Sequence, residues 1–498
     1  MAATKVIVIG SGFSGLSAAT CLAEAGYEVT VLEKNSTPGG RARSLSAGGY
    51  TFDMGPSWYW MPDVFESFFN RFGKSTTDYY DLKRLDPSYT VVFGKDDFVD
   101  IPANMQELRK LFEHIEPGSA AQLDRFLAQA AYKYEVGINQ LVYKPGRSVS
   151  EFMNPRLLLD VLRMDVFQSF YSHIRRYFKN ERLLKLMEFP VLFLGALPQN
   201  TPALYSLMNY ADISLGTWYP MGGMYKIVEG MMSLALEKEV RFEFDQNVRQ
   251  IEVTNGKATR VITDKSAFEA DVVVASADYH HVEQQLLPEA SRSYTEDYWN
   301  SRVMAPSSLL FYIGVSKPLQ KLQHHNLFFD EDFGPHAHEI YTNPKWPEKP
   351  LFYVCAPSVT DASVAPAGCE NLFILIPVAP GLQDSPEVRE LYFDKVMDRL
   401  EQLTGQNIRN AIVYNRSYAH NDFISDYNAY KGNAYGLANT LMQTALLKPS
   451  LKSKKVSNLF YTGQLTVPGP GVPPSLISGQ VVAKEIVKEF ATPVAVKV

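Results

Sequence analysis

Several things are missing from this chain of 498 residues, and each absence removes a class of protein. No stretch reaches the roughly 18 uninterrupted apolar residues that a membrane-crossing helix needs. No secretory leader is visible, because the only apolar run near the start is short, ends at Gly10 and lacks a cleavage site. Cysteine is scarce: Cys21, Cys355 and Cys369 are odd in number and form no CxxC pair, so neither a disulfide framework nor a metal site is expected. A reduced, cytoplasmic setting follows, for a chain that is soluble or lies on a membrane surface. A net charge of −6 provides no basic field for a nucleic-acid partner.

What is present is concentrated at 5–43. Residues 5–9 are a short apolar, β-branched run that stops at Gly10, Gly12 and Gly15; small and apolar residues then recur at helical spacing up to Ala25. That spacing predicts a strand, a tight turn and a helix. Gly10 makes the turn, Gly12 lets the backbone approach a pyrophosphate, and Gly15 lets helix and strand pack closely. The helix N-terminus then presents free N–H groups and the positive end of its dipole to the phosphates. Gly26 ends the helix, and a second strand at 28–32 leads into Glu33, whose carboxylate suits a ribose 2′-hydroxyl. No second GxGxxG follows a strand, so a separate nicotinamide site is not expected.

Thr37-Pro38-Gly39-Gly40-Arg41-Ala42-Arg43 comes next, placing two glycines and two arginines where they can wrap a pyrophosphate. This run resembles the GGR motif of FAD-containing amine oxidases and carotenoid desaturases. Phe52-Asp53-Met54-Gly55-Pro56-Ser57 resembles the segment those proteins place beside the flavin ring. The resemblance continues in order through Pro220-Met221-Gly222-Gly223, Thr360-Asp361 with Ala365-Pro366-Ala367-Gly368, and Gly432-Asn433-Ala434-Tyr435-Gly436. It closes on Gly463-Gln464, Thr466 and Pro468-Gly469-Pro470-Gly471-Val472-Pro473, a loop whose amides can face the flavin's ribityl chain and pyrimidine edge. The later motifs narrow the likeness to bacterial phytoene desaturases and carotenoid 3,4-desaturases.

The resemblance implies an α/β fold with a Rossmann-like FAD-binding domain of the glutathione-reductase and amine-oxidase type. A discontinuous α+β substrate domain and a helical, membrane-facing subdomain would accompany it. The FAD domain would comprise 1–75, 218–290 and 450–498; the substrate domain 76–110 and 291–449; the helical subdomain 111–217. FAD would contact Gly10, Gly12, Phe13, Ser14, Gly15, Glu33, Lys34, Gly39, Gly40, Arg41, Ala42, Met54, Gly55, Pro56, Ser57, Val248, Ser276, Gly463, Gln464, Gly471, Val472 and Pro473. Val248 would pair its backbone with the adenine.

Between the motifs, alternation predicts a hairpin across 79–101, and helical spacing covers 105–142 with a break at Glu116. Residues 152–197 interleave basic with aromatic and branched side chains, which suits an interfacial helix or an ordinary core stripe. Strands at 240–244, 248–254, 258–263 and 270–275 read as a meander, and a final helix is expected from Ser475. The doublets His280-His281 and His324-His325 read as surface loops, Asp53 and Asp422 as caps or backbone acceptors. Pro474 and Leu465 carry no assigned meaning.

The resemblance implies dehydrogenation of an acyclic C40 carotenoid, with hydride passing from an allylic carbon to flavin N5. The protein would provide position and a dry channel, and no residue stands out as an obligatory base. Electrons would pass to oxygen or a membrane quinone, and so insoluble a substrate would be collected at a bilayer. Two other readings use the same scaffold: a carotenoid isomerase or prenyl-chain reductase, and a non-catalytic prenyl binder resembling GDP dissociation inhibitors.

Overall fold

The structure is a computed structural model that describes residues 3–148, 151, 164–165, 168–192, 197–440 and 443–490. Its first layer is a five-stranded parallel sheet. Lys5–Ile9 lies at the centre, with Glu28–Leu32 and then Arg241–Glu243 on one side, and Val272–Ala275 and then Leu459–Tyr461 on the other. Strands from the two ends and the middle of the chain thus share one sheet. The expected four-strand meander divides accordingly. Only Val248–Thr254, Lys257–Thr263 and Ala267–Glu269 form an antiparallel meander, while Arg241–Glu243 and Val272–Ala275 join the parallel sheet. Every residue of Val272–Ala275 is buried, as a strand covered on both faces must be.

Two helices cover this sheet and cross each other closely. Phe13–Glu24 follows the first strand, and Val472–Glu489 closes the chain. The closing helix starts three residues before the expected Ser475, because Pro473 and Pro474 sit in its first turn, where a missing N–H costs nothing. Ser17 Oγ donates to the carbonyl of Leu476 at 2.7 Å and pins the crossing.

A seven-stranded sheet forms the second layer, in the order Ile412–Tyr418, Ser307–Val315, Glu370–Val378, Phe352–Cys355, His325–Phe328, Tyr89–Gly94, Asp97–Ile101. Ser307–Val315 is buried along its whole length and alternates between two cores. Leu309, Phe311 and Ile313 pack under the helix Pro386–Thr404, whereas Leu310 and Tyr312 face the main core. The last two strands are the hairpin expected across 79–101.

The helices Met105–Ile115 and Ser119–Val136 break at Glu116 as the spacing predicts. Their apolar stripes converge on Phe178: Phe112 and Phe126 both make ring contacts with it. Much of the 152–197 stretch lies outside the described residues, namely 152–163, 166–167 and 193–196. In its described part Phe170, Ile174, Phe178 and Leu183 are buried. Arg175 pairs with Glu188 in a mostly buried contact, and Arg182 pairs with Asp97 at the surface, so both cations are paired within the chain.

Candidate functional site

A cavity of about 390 Å³ opens between the two layers, where the C-terminal ends of the parallel strands meet the inner face of the larger sheet. That is where a doubly wound sheet places its ligand. All the sequence-designated residues line it except Gly15 and Met54. Gly15 sits behind the wall: a Cβ there would come 2.0 Å from the Gly10 carbonyl oxygen, so its role is close packing of helix on strand. Met54 is buried, and its carbonyl accepts from the Tyr312 hydroxyl at 2.7 Å.

One end of the cavity is polar and backbone-rich. Gly10 has φ +98°, a conformation that favours glycine, and makes the turn into the first helix. Neither that helix nor the closing helix has a side-chain cap; Gly12 and Gly471 occupy the two N-cap positions. A Cβ at Gly12 would meet nothing within 4 Å, so the backbone borders open space. Gly39 and Gly463 also have positive φ, and the Ser14 and Ser276 hydroxyls bond at 2.7 Å between strand end and helix. Val248 lines this end from the first meander strand, registered opposite Thr263.

Arg41 reaches across to the closing loops. Its Nη2 donates to the Asn433 carbonyl at 3.2 Å, and the Gln464 amide, turned so that its oxygen faces the guanidinium, accepts from Nη1 and Nη2 at 3.2 and 3.0 Å. Its Nε is buried with no partner among the described residues, and burial lowers the guanidinium pKa. Arg43 does not line the cavity and is held by Asp426 at 2.5 Å. Of the two arginines only Arg41 faces the site.

Glu33 is buried, and its carboxylate is already engaged. Ser11 donates to Oε2 from its amide at 2.9 Å and its hydroxyl at 2.6 Å, and Asn35 donates twice to Oε1 at 2.9 and 3.0 Å. A ribose hydroxyl would therefore share an acceptor whose position is fixed in advance. Lys34 lines the site and donates to the Ser425 carbonyl. His281, read from the sequence as a surface residue, also borders the cavity, and burial lowers its pKa.

The other end is aromatic and apolar. Trp58, Trp60, Met208, Tyr353, Phe373 and Leu375 enclose it, far apart in the chain and unmarked by any sequence motif. Only the run Ser57-Trp58-Tyr59-Trp60, dense in aromatics beside the flavin-like motif, could have signalled part of this wall. Leu465, given no meaning in the sequence, lines the cavity as well, as does Pro474. Asp53 stands back from it and accepts from the amides of Met224 and Tyr225 at 2.9 and 3.2 Å, capping the helix Tyr225–Glu237. Burial nonetheless pushes its pKa up to about 6. Asp422 likewise accepts from the Ala419 amide and pairs with Arg389.

The sequence signature of the flavin containing amine oxidoreductases matches residues 13–487. The chain belongs to that family. As a flavin-containing amine oxidoreductase it is 42% identical over 491 residues to a carotenoid 3,4-desaturase of Haloarcula japonica, covering 98% of each chain. A zeta-carotene-forming phytoene desaturase of Myxococcus xanthus is 33% identical over 97% of this chain and 93% of its own. Among solved structures, an oxidoreductase from Methanosarcina mazei superposes with a TM-score of 0.61 at 17% identity, over 97% of this chain and 100% of that one. That likeness establishes the fold.

The cofactor of this flavin-containing oxidoreductase is FAD, and the chain's own features fit it. Two uncapped helix N-termini, a glycine at the first of them that borders open space and one buried guanidinium with a spare N–H are what a dinucleotide's pyrophosphate requires.

Proposed function

We propose that the protein is a carotenoid desaturase that introduces a double bond into an acyclic C40 carotenoid, 3,4-desaturation being the reading favoured by the higher identity to the Haloarcula relative. One observation carries this. The dinucleotide cradle opens directly onto the aromatic slot, and Tyr353, Leu375 and Tyr435 form a wall that the slot shares with a second, apolar cavity of about 80 Å³ lined by Phe329, Ile340 and Leu351. A long hydrocarbon, and no hydrophilic substrate, suits such a lining.

Bound FAD supplies two-electron oxidation at this junction. The residues at the cradle would hold it: Gly12, Phe13, Ser14 and Gly471, Val472 and Pro473 along the backbone, Glu33 and Lys34 toward the ribose, Gly39 to Ala42 around the pyrophosphate. Gly55 to Ser57, Ser276, Gly463 and Gln464 would border the ring, and Val248 the adenine. The slot's rings exclude water and confine the polyene, so that one allylic carbon is presented at a time. Electrons then leave to oxygen or a membrane quinone, as a single glycine-rich dinucleotide turn implies. Collecting so apolar a substrate calls for contact with a membrane surface. No helix among the described residues is long and apolar enough to cross one.

Incubation of the purified holoenzyme with phytoene and with a 1-hydroxylated acyclic carotenoid tests the reading through the product absorption spectrum. A red shift from the hydroxylated substrate is expected. A red shift from phytoene alone would point to the multi-step enzyme, and none from either would remove the proposal. Arg41→Ala is expected to weaken FAD retention roughly 10- to 100-fold, the range for losing charge-assisted hydrogen bonds. FAD retained per chain after gel filtration measures it.

A further inference from the structure

Behind the slot wall, two strands bring a histidine doublet together with a cysteine about thirty residues further along the chain. His324 and His325 precede and open the strand His325–Phe328, and Cys355 ends the strand Phe352–Cys355. The two strands are antiparallel with His325 registered opposite Cys355. All three side chains are buried, and one ligand atom from each lies within 4.8 Å of the others.

The hydrogen bonding of the histidines is what gives this cluster a direction. His324 Nδ1 bonds the Thr360 hydroxyl at 2.8 Å and His325 Nδ1 bonds the Tyr353 hydroxyl at 2.5 Å. The Nε2 atoms of both rings are buried with no partner among the described residues. A metal-ligating histidine is normally oriented in this way, one nitrogen donating to an outer partner and the other left for the ion. Two buried imidazoles each carrying an unmet nitrogen would otherwise be a costly arrangement. Beside His324 and Cys355 lies a small void of about 10 Å³, also bordered by Asp53, Ser57 and Tyr219.

We propose that His324, His325 and Cys355 bind one zinc ion, as a staple between the strands His325–Phe328 and Phe352–Cys355. A nitrogen and sulfur donor set selects a borderline-soft cation over calcium or magnesium. Some point lies within about 2.8 Å of the Cys355 sulfur and of one nitrogen of each ring, against zinc bond lengths of roughly 2.0–2.3 Å, so small inward shifts and ring rotations complete the site. The void is about the size of one water, which supplies a fourth ligand. Binding releases the Cys355 thiol proton; the thiolate together with the nearby Asp53 carboxylate offsets the two positive charges. His325 also stacks face to face on Trp58 at 4.0 Å. The staple therefore holds the wall of the substrate slot from behind.

The test is zinc content by mass spectrometry of the full-length holoenzyme, expressed in zinc-supplemented medium and desalted against a chelator, since so enclosed a site loads during folding. Wild type and Cys369→Ser should each carry about one zinc per chain. Cys355→Ser and His324→Gln should each carry less than a tenth of that. A wild-type protein without zinc overturns the proposal whether or not the variants fold, and so does a Cys355→Ser protein that keeps its zinc. FAD content, read on the same samples, separates this result from any failure of the desaturase reading.

Discussion

Gly479→Val should yield a protein that no longer retains FAD. Gly479 lies where the closing helix crosses the first helix, and a Cβ there would sit 2.3 Å from the Ser14 carbonyl oxygen and 2.8 Å from the Ala18 amide. Both obstacles are backbone, so neither can swing away, and one helix must shift. Overpacking of this kind costs typically about 1–3 kcal/mol. The functional cost is larger, because both helices present their uncapped N-termini to the same cavity and depend on one another for alignment. The flavin-to-protein absorbance ratio after purification should fall at least roughly tenfold, together with a lower unfolding temperature. Gly94→Ala, where a Cβ would meet open space, should change neither. A fully flavinated Gly479→Val protein of unchanged stability would show that the crossing does not set the cradle.

Lys448→Met should stabilise the protein below pH 9 and flatten its stability in mild alkali. Lys448 is buried, with one acceptor among the described residues, Asn439 Oδ1 at 3.0 Å, and burial lowers its pKa from 10.5 to about 7. The folded protein thus binds fewer protons at this site than the unfolded chain between about pH 7 and 10.5. Stability must rise with pH across that window, and the burial penalty is felt in full below it. From pH 7 to 9 the slope amounts to about 2–3 kcal/mol, at 1.36 kcal/mol per unit. Denaturant unfolding of wild type and variant at several pH values should show a gap that narrows as pH rises. A gap independent of pH would mean that the amine is charged in the folded state.

Local physics made the cradle legible. The glycine turn after the strand Lys5–Ile9, the acid ending the second strand and the proline-glycine loop before the last helix depend on backbone conformation over a few residues. Residue type alone reports that. The hairpin and the break at Glu116 were legible for the same reason, as alternation and helical spacing are short-range patterns. Glu33 was identifiable as an acid at the right place, but its clamp by Ser11 and Asn35 was not, since it requires the first turn to fold back on the second strand. The division of the meander was hidden because short apolar strands look alike whether their partner is the next strand or one from far along the chain.

By itself, then, the amino-acid order determined the glycine turns that border the cavity and the class of fold that carries them, because both are set by neighbours in the chain. Only the tertiary structure decided which side chains close the slot, which glycine keeps two helices in register, and that His324, His325 and Cys355 meet. Sheet register and helix crossing set those distances, and both join segments that are not neighbours in the chain: about thirty residues separate His325 from Cys355, and more than four hundred separate the two crossing helices.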